Sequence, residues 1–130
     1  MHHLPVRVYY EDTDLAGIVY YANYLKFIER GRTEWVRELG IDQNRLKDEQ
    51  GLVFAVRRVE ADYLAPARFD DLLRVNTAPA QIGNARIEVA QTVTRDDRLL
   101  FQARVTMVCV STATMRAARV PADLAALMQS

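Results

Sequence analysis

Cysteine is almost missing from this chain. Cys109 stands alone among 130 residues, so no disulfide can close within the chain and no cysteine cluster can hold a metal. Histidine is nearly as scarce: His2 and His3 are adjacent near the start, and none follows. Neither sign of charge is in excess, with 17 Lys+Arg against 17 Asp+Glu. That balance argues against general nucleic-acid binding, which brings a basic surplus, although local basic groups could still hold a phosphorylated ligand. No apolar run approaches the roughly 20 residues that span a bilayer, and Met1-His2-His3-Leu4-Pro5 has no apolar signal region. These absences point to a cytoplasmic protein without metal, membrane insertion or nucleic-acid partner. A formal charge of zero also does little to oppose self-association.

What is present is ordinary in amount and ordered in pattern. Half of the residues are hydrophobic and 26% are charged, as in soluble globular proteins, and the length suits one domain over residues 1–130. Val6, Val8 and Tyr10 alternate as in a short strand from Pro5 to Tyr10. Tyr24, Ile28, Gly31, Trp35 and Leu39 then follow helical spacing, with charged residues on the other faces. Asn23 is a candidate N-cap, with a start near Tyr20 as the other option, and Gly40 is the stop signal. Gly31 is unfavourable inside a helix, which implies a close backbone approach.

A short helical piece is expected over Asn44–Glu49. Strand character follows from Gly51, with Phe54 and Val56 on one face and Val59, Ala61 and Tyr63 in the opposite phase, so a bulge is expected near Arg57-Arg58. Leu72–Ile82 reads as a strand that bends, bulges or lies at an edge at Pro79. Gly83-Asn84 opens a strand carrying Ile87, Val89, Gln91 and Val93. Arg95–Arg98 turns it into a last strand with Leu99, Phe101, Ala103, Val105, Met107 and Cys109 on one face. Pro121 introduces a tail helix over Ala122–Met128. Helix and strand runs are segregated, which implies an α+β fold: one long helix wrapped by a curved antiparallel sheet of about five strands.

The chemistry concentrates in Tyr10-Glu11-Asp12-Thr13-Asp14-Leu15-Ala16-Gly17, a polar loop running into that helix. A carboxylate beside a helix N-terminus lies next to unsatisfied N–H groups and the positive end of the helix dipole. Nucleophile or base and oxyanion cradle are then side by side, which suits acyl transfer. Taken by itself, Asp14 could equally be a loop or cap residue. Asp12 reads as an acidic turn residue accepting backbone N–H groups. Tyr20, Tyr21 and Tyr24 could line a pocket or be half-buried residues of the helix start. Arg57, Arg58 and Arg86 could hold phosphates through paired hydrogen bonds, or simply solvate strands.

The segments Tyr9-Tyr10-Glu11-Asp12-Thr13-Asp14 through Glu29-Arg30-Gly31-Arg32-Thr33-Glu34-Trp35, Pro66–Val75 and Arg119–Leu124 resemble hotdog-fold acyl-CoA thioesterases. The resemblance is to the 4-hydroxybenzoyl-CoA thioesterase group, including the bacterial enzymes associated with the Tol-Pal system, and it spans essentially the whole chain. It implies that Asp14 attacks the thioester carbonyl or activates water, and that the backbone N–H of Tyr21 polarises the carbonyl oxygen. It implies that Gly17 lets the loop backbone pass close to the substrate. From the residues themselves, Tyr24, Arg57, Arg58 and Arg86 are further candidates for substrate contact. The resemblance also implies a homo-oligomer, a dimer with a continuous sheet or a tetramer, and no cofactor beyond the CoA of the acyl-CoA substrate. Tyr21 departs from the histidine usual in the Tol-Pal-associated enzymes and leans the acyl preference towards aromatic or short groups. A hydratase or dehydratase of similar fold needs a histidine base on or near the central helix, and this chain has no histidine beyond residue 3. The remaining alternative is a non-catalytic protein that binds acyl-CoA or an acyl carrier protein.

Overall fold

The computed structural model describes residues 1–130. Five strands, β1 (His2–Arg7), β2 (Leu52–Tyr63), β3 (Leu72–Ile82), β4 (Arg86–Arg95) and β5 (Arg98–Ser111), form one antiparallel sheet in the order β1-β3-β4-β5-β2. The long helix α1 (Asn23–Glu38) lies against β1, β3 and β4, the short α2 (Gln43–Gln50) meets β2, and α3 (Ala122–Gln129) packs on β3. The α+β arrangement implied by the segregated pattern is therefore the one observed. α1 buries Tyr24, Phe27, Ile28, Trp35 and Val36 against the inward residues Val75, Ile87, Val89, Val93, Phe101 and Val105.

Bulges set the phases of the strands. The register of β2 against β5 shifts between Val56 and Arg58, where the change of face was expected, and that of β3 against β4 shifts at Pro79. Proline has no N–H for the ladder, so the bulge falls where pairing would fail. A further irregularity pairs Val93 with Phe101 but Thr94 with Leu99. It corrects the alternation expected for the last strand: Leu100 and Phe101 are both fully buried, whereas Leu99 is exposed. Val56 and Val59 also remain exposed, because β2 is an edge strand paired only with β5.

Two boundaries differ from expectation. β1 stops at Arg7, and Tyr10 begins a 3-10 turn because the Asp12 carboxylate accepts the Tyr9 N–H at 2.8 Å. Asn23 is not the N-cap of α1. Ala22 occupies that place in helical conformation, while the Asn23 amide donates to the Asp12 carbonyl at 2.9 Å. At the other end Gly40 takes φ +86 beyond the last turn, the left-handed conformation that a helix stop requires.

Gly31 faces the centre of the sheet. A Cβ there would sit 2.6 Å from Val75 Cγ1 and 3.1 Å from both Gln91 Nε2 and Thr77 Oγ1. The Gln91 amide is buried in this contact, donating to the Ile28 carbonyl (2.8 Å) and to Thr77 Oγ1 (2.9 Å), while its carbonyl accepts from Arg32 (3.1 Å). Gly31→Ala is expected to destabilise the fold by about 1–3 kcal/mol through overpacking, despite a gain of about 1 kcal/mol in helix propensity. Urea titrations of the two proteins give this difference directly.

Candidate active site

Residues 13–19 form a small hairpin, bridged between Thr13 and Val19. The Asp14 N–H donates to the Ile18 carbonyl (2.9 Å), and the Gly17 N–H donates to the Asp14 carbonyl (3.0 Å). Gly17 takes φ +78, the left-handed position of a three-residue hairpin loop. Its contribution is thus to close the turn that carries Asp14. The Ala16 N–H donates to Asp14 Oδ1 at 2.9 Å, and Oδ2 makes no hydrogen bond within the chain. The carboxylate is held through one oxygen, exposed, with the other oxygen open to a ligand.

The hairpin is docked at both ends. Val19 donates to the Ala67 carbonyl, and Ile18 bridges Arg68. Tyr20 and the Asn23 amide both donate to the Asp12 carbonyl at 2.9 Å, tying the loop to the start of α1. Between these anchors the N–H groups of Tyr21 and Ala22 have no acceptor in the chain. They are orphan donors at the positive end of a 16-residue helix.

Asp14, Tyr21 and Tyr24 line one cleft of about 410 Å³. Its other walls are largely apolar: Ile18, Val19 and Tyr20 from the loop, and Tyr63, Leu64 and Pro66 from the end of β2. A larger concavity of about 540 Å³ over Thr33, Arg37 and the α1–α2 turn has Ile41 as its one hydrophobic lining residue. No three His, Cys, Asp or Glu side chains lie together to hold a metal.

Tyr24 is a floor residue of this cleft rather than a free arm. It is buried, stacks on Phe101 with centroids 5.1 Å apart, and its hydroxyl accepts the Ala67 N–H at 3.1 Å. Burial pushes its hydroxyl above the ordinary tyrosine value, against the lowering effect of the Ala67 N–H. Tyr63, passed over as a site residue in the sequence pattern, packs edge-on to Tyr21, Tyr24 and Phe101, and its hydroxyl donates to the Tyr21 carbonyl at 3.0 Å. Burial, with Tyr21 and Tyr24 nearby, raises its pKa above the ordinary tyrosine value. The only signal in the sequence is its place at a strand end just before Leu64-Ala65-Pro66.

A protein-family model described as the thioesterase-like superfamily matches residues 8–128. The chain belongs to the thioesterase-like superfamily. Among its relatives in this superfamily, an acyl-CoA thioesterase YbgC of Haemophilus influenzae is 43% identical over 122 residues, 94% of this chain and 90% of that protein. The crystal structure of a probable thioesterase from Bartonella henselae superposes with a TM-score of 0.87 at 34% identity, covering 92% of this chain and 98% of the other. A 4-hydroxybenzoyl-CoA thioesterase mutant, complexed with 4-hydroxybenzoyl-CoA, shares the fold with a TM-score of 0.91 at 23% identity, over 97% and 96% of the two chains.

The arginines lie apart from the cleft in this thioesterase-like chain. Arg57 and Arg58 sit at the β2 bulge, five or six residues before Tyr63 and so roughly 16–20 Å along the strand. Arg58 pairs with Glu60 at 3.0 Å. Arg86 begins β4 opposite Val108 and pairs with Glu88 at 3.2 Å. Within one chain these arginines do not meet Asp14. Arg68, a neighbour of Asp70 and Asp71 in sequence, serves the turn through its backbone N–H, while the ion pair to Asp71 comes from Arg95 (2.6 Å).

That ion pair anchors the segment against which the Asp14 hairpin docks. Burial tends to raise the Asp71 pKa, but the Arg68 N–H and the Arg95 guanidinium outweigh it and hold the carboxyl below its ordinary value. A folded-state pKa below the unfolded one stabilises the fold above the ordinary carboxylate range, and that contribution fades as pH falls through the folded pKa. Asp71→Asn is expected to lose roughly 1 kcal/mol at pH 7, a partly exposed pair being discounted for screening. The gap between variant and parent should close on acidification, as followed by denaturation from pH 7 downwards.

Proposed function

We propose that the protein hydrolyses an acyl-CoA thioester to the free acid and CoA, with an aromatic or short acyl group in the tyrosine-lined cleft. The observation that carries this reading is the Asp14 carboxylate, with Oδ2 open, on the same apolar cleft as the orphan N–H of Tyr21. Two routes use these groups. In one, Asp14 attacks the thioester carbonyl, the C–S bond breaks, CoA leaves as thiolate, and water hydrolyses the resulting anhydride. In the other, Asp14 takes a proton from water as it attacks. Both develop negative charge on the carbonyl oxygen, which the Tyr21 N–H and the helix terminus would stabilise. Relatives named as acyl-CoA thioesterases support the same reaction.

We further propose that the protein works as a homo-oligomer in which β2 pairs with a second copy. β2 has one unpaired edge, and Val56, Val59 and Leu25 are exposed around a shallow cavity beside it. Such an edge is otherwise open to indiscriminate pairing. A second copy would also bring further arginines towards the cleft, where Arg57, Arg58 or Arg86 of one chain alone do not reach Asp14. Val59→Arg is expected to yield a monomer with turnover reduced at least tenfold. Sedimentation equilibrium and activity measured on the same sample check it, and an unchanged dimer or tetramer would reject this edge as the interface.

The main test is free-thiol release from benzoyl-, 4-hydroxybenzoyl-, short-chain and long-chain acyl-CoA. Asp14→Asn is expected to keep its melting temperature and lose about a hundredfold or more in kcat. Near-normal hydrolysis by that variant would remove Asp14 from the mechanism.

A further inference from the structure

We propose that Tyr63 is a positioning residue for the oxyanion site, holding the turn that presents the N–H groups of Tyr21 and Ala22. The inference rests on the proposed role of that turn and adds a residue to it. Three observations on different elements converge here.

The turn from Tyr20 to Ala22 is fastened on one side only by the loop, through Tyr20 N–H and the Asn23 amide on the Asp12 carbonyl. It has no side-chain cap, because Ala22 occupies the N-cap position. An uncapped helix start lacks the side-chain bond that usually fixes its first peptides. The Tyr63 hydroxyl supplies a bond from the opposite side, donating at 3.0 Å to the carbonyl of Tyr21. That carbonyl belongs to the peptide whose N–H is that of Ala22. A donor on the carbonyl polarises the peptide and strengthens its N–H as a donor in turn.

The Tyr63 ring is itself held, though nearly half of the residue is exposed. Phe101 and Tyr24 hold it edge-on at 5.1 and 5.5 Å, and Tyr24 is buried and stacked on Phe101. Behind it, Leu64 and Ala65 both donate to the Leu100 carbonyl, so the strand end does not swing. The hydroxyl is therefore referenced to the sheet core. The line Phe101–Tyr63–Tyr21 fixes the start of α1 relative to the sheet end. A phenol stays protonated to well above neutral pH in any case, so the bond to Tyr21 persists at neutral pH.

Tyr63→Phe removes the hydroxyl and keeps the ring packing. It is expected to lower kcat about tenfold, the order expected for one well-placed hydrogen bond, with KM within about twofold and an unchanged melting temperature. Tyr63→Ala, which also removes a cleft wall, should raise KM as well. Both are assayed beside Asp14→Asn on the acyl-CoA turned over fastest in the panel. If Asp14→Asn is inactive and Tyr63→Phe keeps wild-type kcat, the positioning role falls while the reaction stands. A Tyr63→Phe loss confined to KM also overturns it. Retained turnover in Asp14→Asn overturns the site reading, and this inference with it.

Discussion

At Gly31 the backbone of α1 presses directly on the sheet, with the Gln91 amide wedged into the contact. Only glycine fits, since a Cβ would fall 2.6 Å from Val75 Cγ1. Gln91 uses both N–H groups, on the Ile28 carbonyl and on Thr77 Oγ1, and its carbonyl takes the Arg32 guanidinium. A buried amide left half-satisfied would cost more than an apolar replacement. Satisfied at each of these groups, it locks the helix in one rotation and one translation over the strands. Burial lowers the Arg32 pKa, opposed by the nearby Glu29. The hydrogen bond to Gln91 gives that desolvated cation an acceptor.

The proposed site inherits its geometry from this lock. Two turns before Gly31, Tyr24 reaches the end of the sheet, stacks on Phe101 and accepts the Ala67 N–H. Ala67 in turn accepts from Val19, which ends the hairpin carrying Asp14. The carboxylate thus sits on a loop but is referenced to the core by a short chain of bonds. Tyr63 closes the chain from the other side. A loop with this many anchors can hold an exposed acid without burying it, and an exposed acid stays available to substrate.

β2 has the opposite character. Its edge is free, and Val56 and Val59 are exposed on it. The strand that supplies Tyr63 to the cleft therefore also offers the surface proposed to receive a second copy. On these proposals substrate recognition and self-association share one element, which is why the Val59 substitution is expected to affect both.

Much of the fold follows from local pattern. Helical spacing over Tyr24–Leu39, the phase change at Arg57-Arg58, the proline at position 79 and the turn at Arg95–Arg98 are each written in neighbouring residues, because hydrophobic period and backbone restriction act locally. Gly31 was legible as a close approach for the same reason, and the Asp14 loop stood out as a candidate site because carboxylates, glycine and a helix start fall within a few residues. The departures arise where distant groups compete. Asn23 gives its amide to Asp12 instead of capping the helix, the bulge after Leu99 places Leu100 in the core, and the Asp71 carboxylate takes the distant Arg95 guanidinium beside the N–H of its neighbour Arg68. Tyr63 is 42 residues from Tyr21, and no spacing rule links them. Periodicity and turn chemistry thus determined the elements and marked the loop proposed as the site. Only tertiary packing decided which hydroxyl meets which carbonyl, since long-range hydrogen bonds depend on how the helix seats on the sheet.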